Sequence, residues 1–410
     1  MEIRPILSAL LRSKTGPILV ALQVGLSLAI LANALYIVND RSKVVARPSG
    51  LSDEHSTFYI DSRGLNNDGP EQVLATMNRE AAVLRAVPGV LSVANVNQMP
   101  LSQSSSNSSI SLKPDQERKT AMTTLYQSSD SLIKTFGLNL VEGRDFQPQE
   151  YMDVNENAER KLPPVIIITK ALAEKLWPGT SAIGKSFYFG KGDGALRVQV
   201  VGVVERLQTP NAQTDEKADW SSLLPARFYG SPGARYAIRT EPGQRDRVMK
   251  EAEAALRKAS STPLILESTT VDDDRKNRYR GDVALQWMLV TVSLLLLLVT
   301  SSGIVGMASL WVTQRRKQIG VRRALGARKV DILRYFILEN FMITSGGVFG
   351  GVALGLALNQ LLVSKLEMAR LPAGYLMGGA VLFWLLGVIA AYGPAWRAAS
   401  ISPATATRSV

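Results

Sequence analysis

The sequence predicts a membrane protein: an α-helical four-span transmembrane domain with a large α+β periplasmic domain, a ferredoxin-like βαβ pair plus an inserted β-rich subdomain. Three observations predict it. Four apolar runs, 17–38, 283–312, 337–363 and 375–392, have the length that crosses a bilayer core, roughly 20 residues. The net charge of +12 is uneven: the stretch 314–336 sets Arg315, Arg316, Lys317, Arg322, Arg323, Arg328, Lys329 and Arg334 against Asp331 alone, whereas 40–282 is nearly neutral. A short Lys/Arg-rich loop between two spans belongs on the cytoplasmic side, which puts the 40–282 domain on the far side. Finally, that domain shows a strand–helix–strand pattern at each end.

Residues 1–16 form a mildly amphipathic, basic N-terminal segment (Ile3, Ile6, Leu7, Leu10 and Leu11, with Arg4, Arg12 and Lys14). The first span is 17–39. A cleaved signal peptide competes with it, because Ala32-Asn33-Ala34 imitates a cleavage site. The apolar run continues past that triplet through Leu35, Tyr36, Ile37 and Val38, which favours a retained span with the N-terminus inside. Ala21, Gly25 and Ala29 give it a small-residue stripe suited to close helix packing, with no partner helix specified.

In 40–282, strands are expected at 57–60 and 90–96 around a helix at 70–86, and at 234–240 and 263–271 around a helix at 243–259. Their similar lengths fit a split ferredoxin-like pair, with coincidence as the competing account. The inserted subdomain, about 100–230, opens with the Ser-rich run 102–111, expected as an exposed loop. The second span with its stalk, 283–313, would reach roughly 45 Å against a hydrocarbon core of about 30 Å, so it should tilt or project. The third span, 337–363, carries Gly346, Gly347, Gly350, Gly351 and Gly355 in overlapping small-residue spacings, read either as a sliding helix contact or as plain bundle packing. A short turn, 364–374, holds Pro372. The fourth span, 375–393, is expected to close at Gly393-Pro394, and the tail 394–410 returns Arg397 and Arg408 inside.

The basic stretch 314–336 organises the rest. Its apolar positions Ile319, Val321, Leu325, Val330, Ile332 and Leu333 fall near helical spacing, interrupted by Gly320 and Gly326. That pattern gives two short amphipathic helices under the membrane offering a face to a partner, or a solvated loop that only sets topology.

Few enzymatic chemistries find support. With no cysteine and a single histidine, His55, neither thiolate nor histidine-built metal centres are expected. Asp272, Asp273 and Asp274 form a charge run rather than an acid/base pair. Positive charge beside apolar runs, and not on a folded domain, argues against nucleic acid. Residues 179–186 match the phosphate-loop pattern GxxxxGKS letter by letter, yet a helix (170–177) precedes the glycines and a strand (186–189) follows. Phosphate cradling needs the reverse order, with a helix N-terminus leaving the loop. No catalytic, cofactor-binding or metal residues are therefore assigned. The spans hold almost no ionisable residues, Glu339 at the edge of the third excepted, which favours mechanical transmission over a polar solute path.

The run Gln318, Ile319, Gly320, Val321, Arg322, Arg323, Ala324, Leu325, Gly326 and Ala327 resembles the hallmark of the MacB/FtsX-like ABC transporter permeases. The stretches GRDF (143–146), WPGTSAIGKSFYFG (177–190) and VQVVGVVERL (198–207) resemble the periplasmic subdomain of the MacB type, and the tail resembles the family's C-terminal signature. The resemblance implies a non-catalytic permease in a bacterial inner membrane, with both termini cytoplasmic and 318–327 as the ATPase-coupling element. ATP and Mg²⁺ would be bound by a partner ABC ATPase, expected on a separate polypeptide because the first span begins at Pro17. A second permease, identical or related, membrane lipid and a periplasmic adaptor are the further partners implied. Export or efflux is the implied activity; the alternatives are lipoprotein release of the LolC/LolE kind and an FtsX-like membrane-anchored periplasmic regulator without transport.

Overall fold

A computed structural model describes residues 15–66, 69–156, 162–211, 216–230, 233–366 and 370–401. Most of the amphipathic N-terminal segment, the tail from 402 with Arg408, and residues 367–369 of the turn after the third span lie outside the described residues. The chain divides into two compact units: Met1–Val45 with Gly281–Val410, and Ala46–Arg280.

Helix α1 (Thr15–Val45) opens the first unit. In the second unit, β1 (Thr57–Gly64), α2 (Pro70–Arg85) and β2 (Val90–Asn95) form the first strand–helix–strand motif. Next come β3 (Asn107–Ser111), β4 (Ala121–Gln127), α3 (Leu132–Phe136), β5 (Leu140–Gly143), β6 (Met152–Asn155), β7 (Val165–Thr169), α4 (Lys170–Leu176) and β8 (Ser186–Phe189). The strands β9 (Leu196–Val204), β10 (Ser221–Leu224) and β11 (Ala226–Tyr229) complete the insertion. The closing motif is β12 (Ala234–Thr240), α5 (Arg245–Ala259) and β13 (Leu264–Thr270).

The outer motifs share one antiparallel sheet in the order β13-β1-β12-β2. Each motif is split by a strand of the other, which is the ferredoxin-like arrangement expected from the sequence. Register follows the apolar alternation: Phe58 lies opposite Ile238 and Ile60 opposite Tyr236. These side chains are buried with Leu84 from α2 and Val248, Ala252 and Leu256 from α5. The insertion forms a seven-stranded sheet, β5-β9-β7-β10-β4-β3-β8, closed by a β8–β9 pairing, with β6 and β11 paired beside it. Its core gathers Ile166, Ile168, Leu172, Leu176, Phe187, Val198, Val200 and Trp220.

One expectation fails here. The second half of the Ser-rich run is the strand β3, not an exposed loop, because Ile110 is fully buried and pairs with Ala121 and Phe189. Serine composition conceals a ladder strand whose single apolar side chain supplies the inward contact.

Helix α6 (Val271–Gln314) starts in this second unit and runs on without a break for 44 residues, about 66 Å at 1.5 Å per residue. The first unit then continues with α7 (Arg316–Ala324), α8 (Lys329–Leu366) and α9 (Ala373–Ala399). Helices α1, α6, α8 and α9 are all long and apolar enough to cross a membrane. Two readings of this unit are corrected. The basic stretch yields one separate short helix, α7; the second is the first two turns of α8, because Asp331 Oδ2 accepts from Arg328 N (2.9 Å) and starts a helix that never stops before the span. The fourth helix does not close at Gly393-Pro394 but runs through to Ala399. Proline costs the helix a hydrogen bond there, yet Ala395, Ala398 and Ala399 beyond it are buried against Ile319, Ile332 and Phe336, and that burial holds the last turns.

Candidate functional site

Local chemistry explains why α7 is short. Gln314 ends α6, and Arg315, with φ −99° and ψ 11°, is the one residue between the two helices. At the other end Gly326 takes φ +99°, a left-handed conformation that favours glycine, while Gly326 N donates to Arg323 O and Ala327 N to Arg322 O. The predicted residues 318–327 therefore make most of α7 and its terminating turn.

They divide by face. Ile319 and Gly320 are buried, Ile319 within a cluster shared with Ile332 and Phe336 of α8 and Ala395, Ala398 and Ala399 of α9. Gln318, Val321, Arg322, Ala324, Leu325 and Gly326 are exposed; Arg323 and Ala327 are half-buried. Leu325 is 83 % exposed and Val321 52 %, and Val330 at the start of α8 is exposed too. An apolar strip flanked by arginines thus faces away from the bundle. Arg322 also places its guanidinium 5.0 Å from the centre of the Tyr335 ring on α8.

The five glycines of the third span separate in the same way. An added Cβ at Gly347 would stand 2.7 Å from Ala21 O, at Gly351 2.8 Å from Gly25 O, and at Gly355 3.5 Å from Ala29 Cα. Gly346 and Gly350 have nothing within 4 Å. The stripe on α1 thus meets three of the five glycines, four residues apart on one face of α8, and the other two point elsewhere.

Polar residues whose contacts sequence reasoning missed sit on either side of the glycine stripe. Glu339, 1 % exposed, accepts from Arg315 Nη1 at 2.8 Å on each oxygen. Asn340 donates to Gly387 O (2.8 Å), Asn33 to Gly355 O (3.2 Å), and Leu371 N to Asn359 Oδ1 (3.0 Å), tying α1, α8 and α9 through buried amides. A lone acid beside a basic loop and amides inside apolar runs were the available signals.

In the second unit, the first turns of α6 are gripped by polar groups. Glu54 accepts from Arg275 Nε and Nη2, both at 2.7 Å, and Arg278 donates to Pro210 O and Asn211 O. Burial pushes the Glu54 carboxyl up, but the hydrogen bonds from Arg275 and Ser49 outweigh it and hold it below the usual glutamate range. His55, fully exposed, is raised by its hydrogen bond to Asp272.

The phosphate-loop look-alike is occupied by its own fold. Gly184 N donates to Val200 O, Gly179 N to Glu174 Oε1, and Lys185 Nζ reaches Thr180 Oγ1 at 2.5 Å. Helix α4 ends before the loop and β8 follows it, so the loop leads into a strand and not into a helix. Among the described residues, no group of three or more His, Asp or Glu side chains is placed to hold a metal ion.

Residues 19–257, more than half of the chain, match the MacB-like periplasmic core domain, and 290–403 match the FtsX-like permease C-terminal domain. Among curated proteins, the macrolide export ATP-binding/permease protein MacB of Neisseria gonorrhoeae is 25 % identical over 293 residues, 70 % of this chain and 44 % of its own length. That of Mannheimia succiniciproducens is 23 % identical over 407 residues, covering 97 % and 59 %. The pyoverdine export ATP-binding/permease protein PvdT of Pseudomonas syringae pv. tomato is 29 % identical over 219 residues, 52 % and 33 %. The chain therefore spans less than two thirds of each of these relatives. Of solved structures, the periplasmic region of MacB from Actinobacillus actinomycetemcomitans matches at 13 % identity and TM-score 0.33, covering 57 % of this chain and 97 % of that one. The extracellular domain of the transporter YknZ from Gram-positive bacteria matches at 17 % and 0.32, covering 52 % and 100 %.

Proposed function

This chain belongs to the MacB-like permeases of ABC transporters, with a MacB-like periplasmic core and an FtsX-like membrane domain, and from that premise we propose that it transmits the work of ATP hydrolysis to its periplasmic domain to drive export. The ATPase, with its ATP and Mg²⁺, is a cytoplasmic partner that docks on 318–327. A second permease, identical or related, completes the membrane assembly in the bacterial inner membrane, with both termini cytoplasmic; a periplasmic adaptor is the remaining partner. The chain itself acts as a non-catalytic lever.

The observation that carries this reading is the two-faced α7. One face, through Ile319, is seated on α8 and α9, while Leu325 and Val321 stand exposed among arginines. A solvated loop that only set topology would have no reason to hold apolar side chains out of the bundle while fixing the helix that carries them. The continuous α6, gripped at its start by Glu54 and ending one residue before α7, supplies the mechanical element.

The test is co-purification from mild detergent, followed by ATPase assay of the complex. Wild-type chain should bring an ABC ATPase with it, and Leu325→Asp should abolish recovery while membrane insertion persists. Gly320→Pro should keep insertion and lose coupled ATP hydrolysis, since it breaks the buried centre of α7. Full recovery and coupling in both variants would overturn the reading.

A further inference from the structure

We propose that the Arg315–Glu339 ion pair is a positioning device that fixes the direction of α7 along α8, so that force applied to α7 is delivered to the third span. The proposal rests on the coupling reading above for its force-delivery part; the positioning part stands on geometry alone.

The pair acts at the pivot. Arg315 is the only residue between α6 and α7, its N–H donating to Trp311 O and its carbonyl accepting from Ile319 N (3.0 Å each). Its side chain reaches neither neighbouring turn but a carboxylate 24 residues later, on α8. Glu339 is closed off from solvent, beside a void of about 10 Å³ lined by Trp311, Val312, Phe336, Ala391, Ala395 and the amide Asn340, which is committed to Gly387 O. A carboxylate left alone in such surroundings is costly, so the arginine stays on it.

The other fasteners of α7 lie on both neighbouring helices: Ile319 is buried in one cluster with Ile332 and Phe336 of α8 and Ala395, Ala398 and Ala399 of α9, and Arg322 sits against the Tyr335 ring, one turn before Glu339 on α8. The apolar contact and the ring contact tolerate sliding, because burial is non-directional. The ion pair does not: Nη1 is equidistant, at 2.8 Å, from both Glu339 oxygens. Buried ion pairs add little net stability over apolar residues of similar volume, and their better-attested use is to fix register. That is the role this one takes.

The absence of cysteine makes the test direct. Spin labels at Lys317→Cys on α7 and Arg334→Cys on α8, both exposed positions, report the angle between the helices in full-length chain in nanodiscs. The double variant Arg315→Met/Glu339→Leu keeps the volume filled, so the protein folds, and its distance distribution should widen to about twice the wild-type width. The charge swap Arg315→Glu/Glu339→Arg should narrow it again. A role in stability alone would lower the melting temperature and leave the distances of the surviving protein unchanged; that result overturns positioning. In the complex, the double variant should retain the ATPase and lose coupled hydrolysis. Retained coupling with widened distances overturns force delivery. Failure of the wild-type chain to recover any ATPase would defeat the coupling reading and force delivery with it, while the distance measurement still decides whether the pair positions α7.

Discussion

Within the membrane unit, two ways of holding helices together stand side by side. Helices α1 and α8 are joined by backbone approach, where Gly347 and Gly351 admit Ala21 and Gly25 so closely that any Cβ would collide with main chain, and Asn340 adds a buried bond from α8 to Gly387 O of α9. Helix α6 is held to α1 by side chains reaching across: Gln23 to Val299 O (3.0 Å), Ser27 to Thr300 (2.8 Å) and Arg41 to Asp282 (3.1 Å). Much of its surface, including Trp287, Leu294 and Leu298, is exposed in the single chain. Glycine contacts permit one arrangement, because there is no side chain to rearrange. Polar side chains can exchange partners, and in membranes each such bond contributes only about 0.6 kcal/mol. The same unit therefore contains a tightly packed α1–α8 pair and a helix, α6, joined to it by fewer and more exchangeable contacts.

The sharpest way to break this comparison is Gly351→Leu. Its side chain would meet the Gly25 backbone, and overpacking of that kind costs about 3 kcal/mol or more. The melting temperature in detergent should drop steeply, whereas Gly350→Leu, with open space around it, should leave it nearly unchanged. Equal effects at the two positions would contradict the stripe.

Next in size is the grip on the start of α6. Glu54→Gln removes charge-assisted bonds to Arg275, a loss of about 2 kcal/mol. Because the folded-state pKa of Glu54 is depressed, this stabilisation is present above the ordinary glutamate range and is lost as pH falls through the lowered value. Melting curves should show the wild-type chain losing more stability than the variant as pH falls below about 5, with a constant gap above that.

The smallest expected effect belongs to the α1–α6 contact. Thr300→Val should cost about 0.6 kcal/mol, near the limit of a melting measurement. A loss of several kcal/mol would show that α6 is held as tightly as the α1–α8 pair after all.

Much of this was legible in the sequence because it depends on local pattern. The four spans follow from runs of apolar residues, and the strands at 234–240 and 186–189 have the limits expected. The glycines of α8 were visible, but not their division: only three-dimensional packing decides that Gly347 faces α1 and Gly346 does not. Serine chemistry hid β3, whose place rests on the partners of Ile110. Gly393-Pro394 promised an end that burial of Ala395, Ala398 and Ala399 overrode. At the candidate site the family word at 318–327 was plain, and Gly326 did end the helix. Glu339 stood out as a lone acid beside the basic loop, but its pairing with Arg315 was not legible, since several arginines of that loop could have served and only the fold brings this one within 2.8 Å.

The central strand of the ferredoxin-like sheet has a consequence for biogenesis. Strand β1 leaves the translocation pore early, yet both of its ladder partners, β12 and β13, come after the whole insertion, with Phe58 paired to Ile238 and Thr270. Its edges stay unsatisfied while more than a hundred residues are still being exported. The insertion, with its own core and closed sheet, is able to fold first during that interval. The final zipping of β13 onto β1 then coincides with the arrival of α6 at the membrane, so the last strand to emerge completes the domain as the second span is inserted.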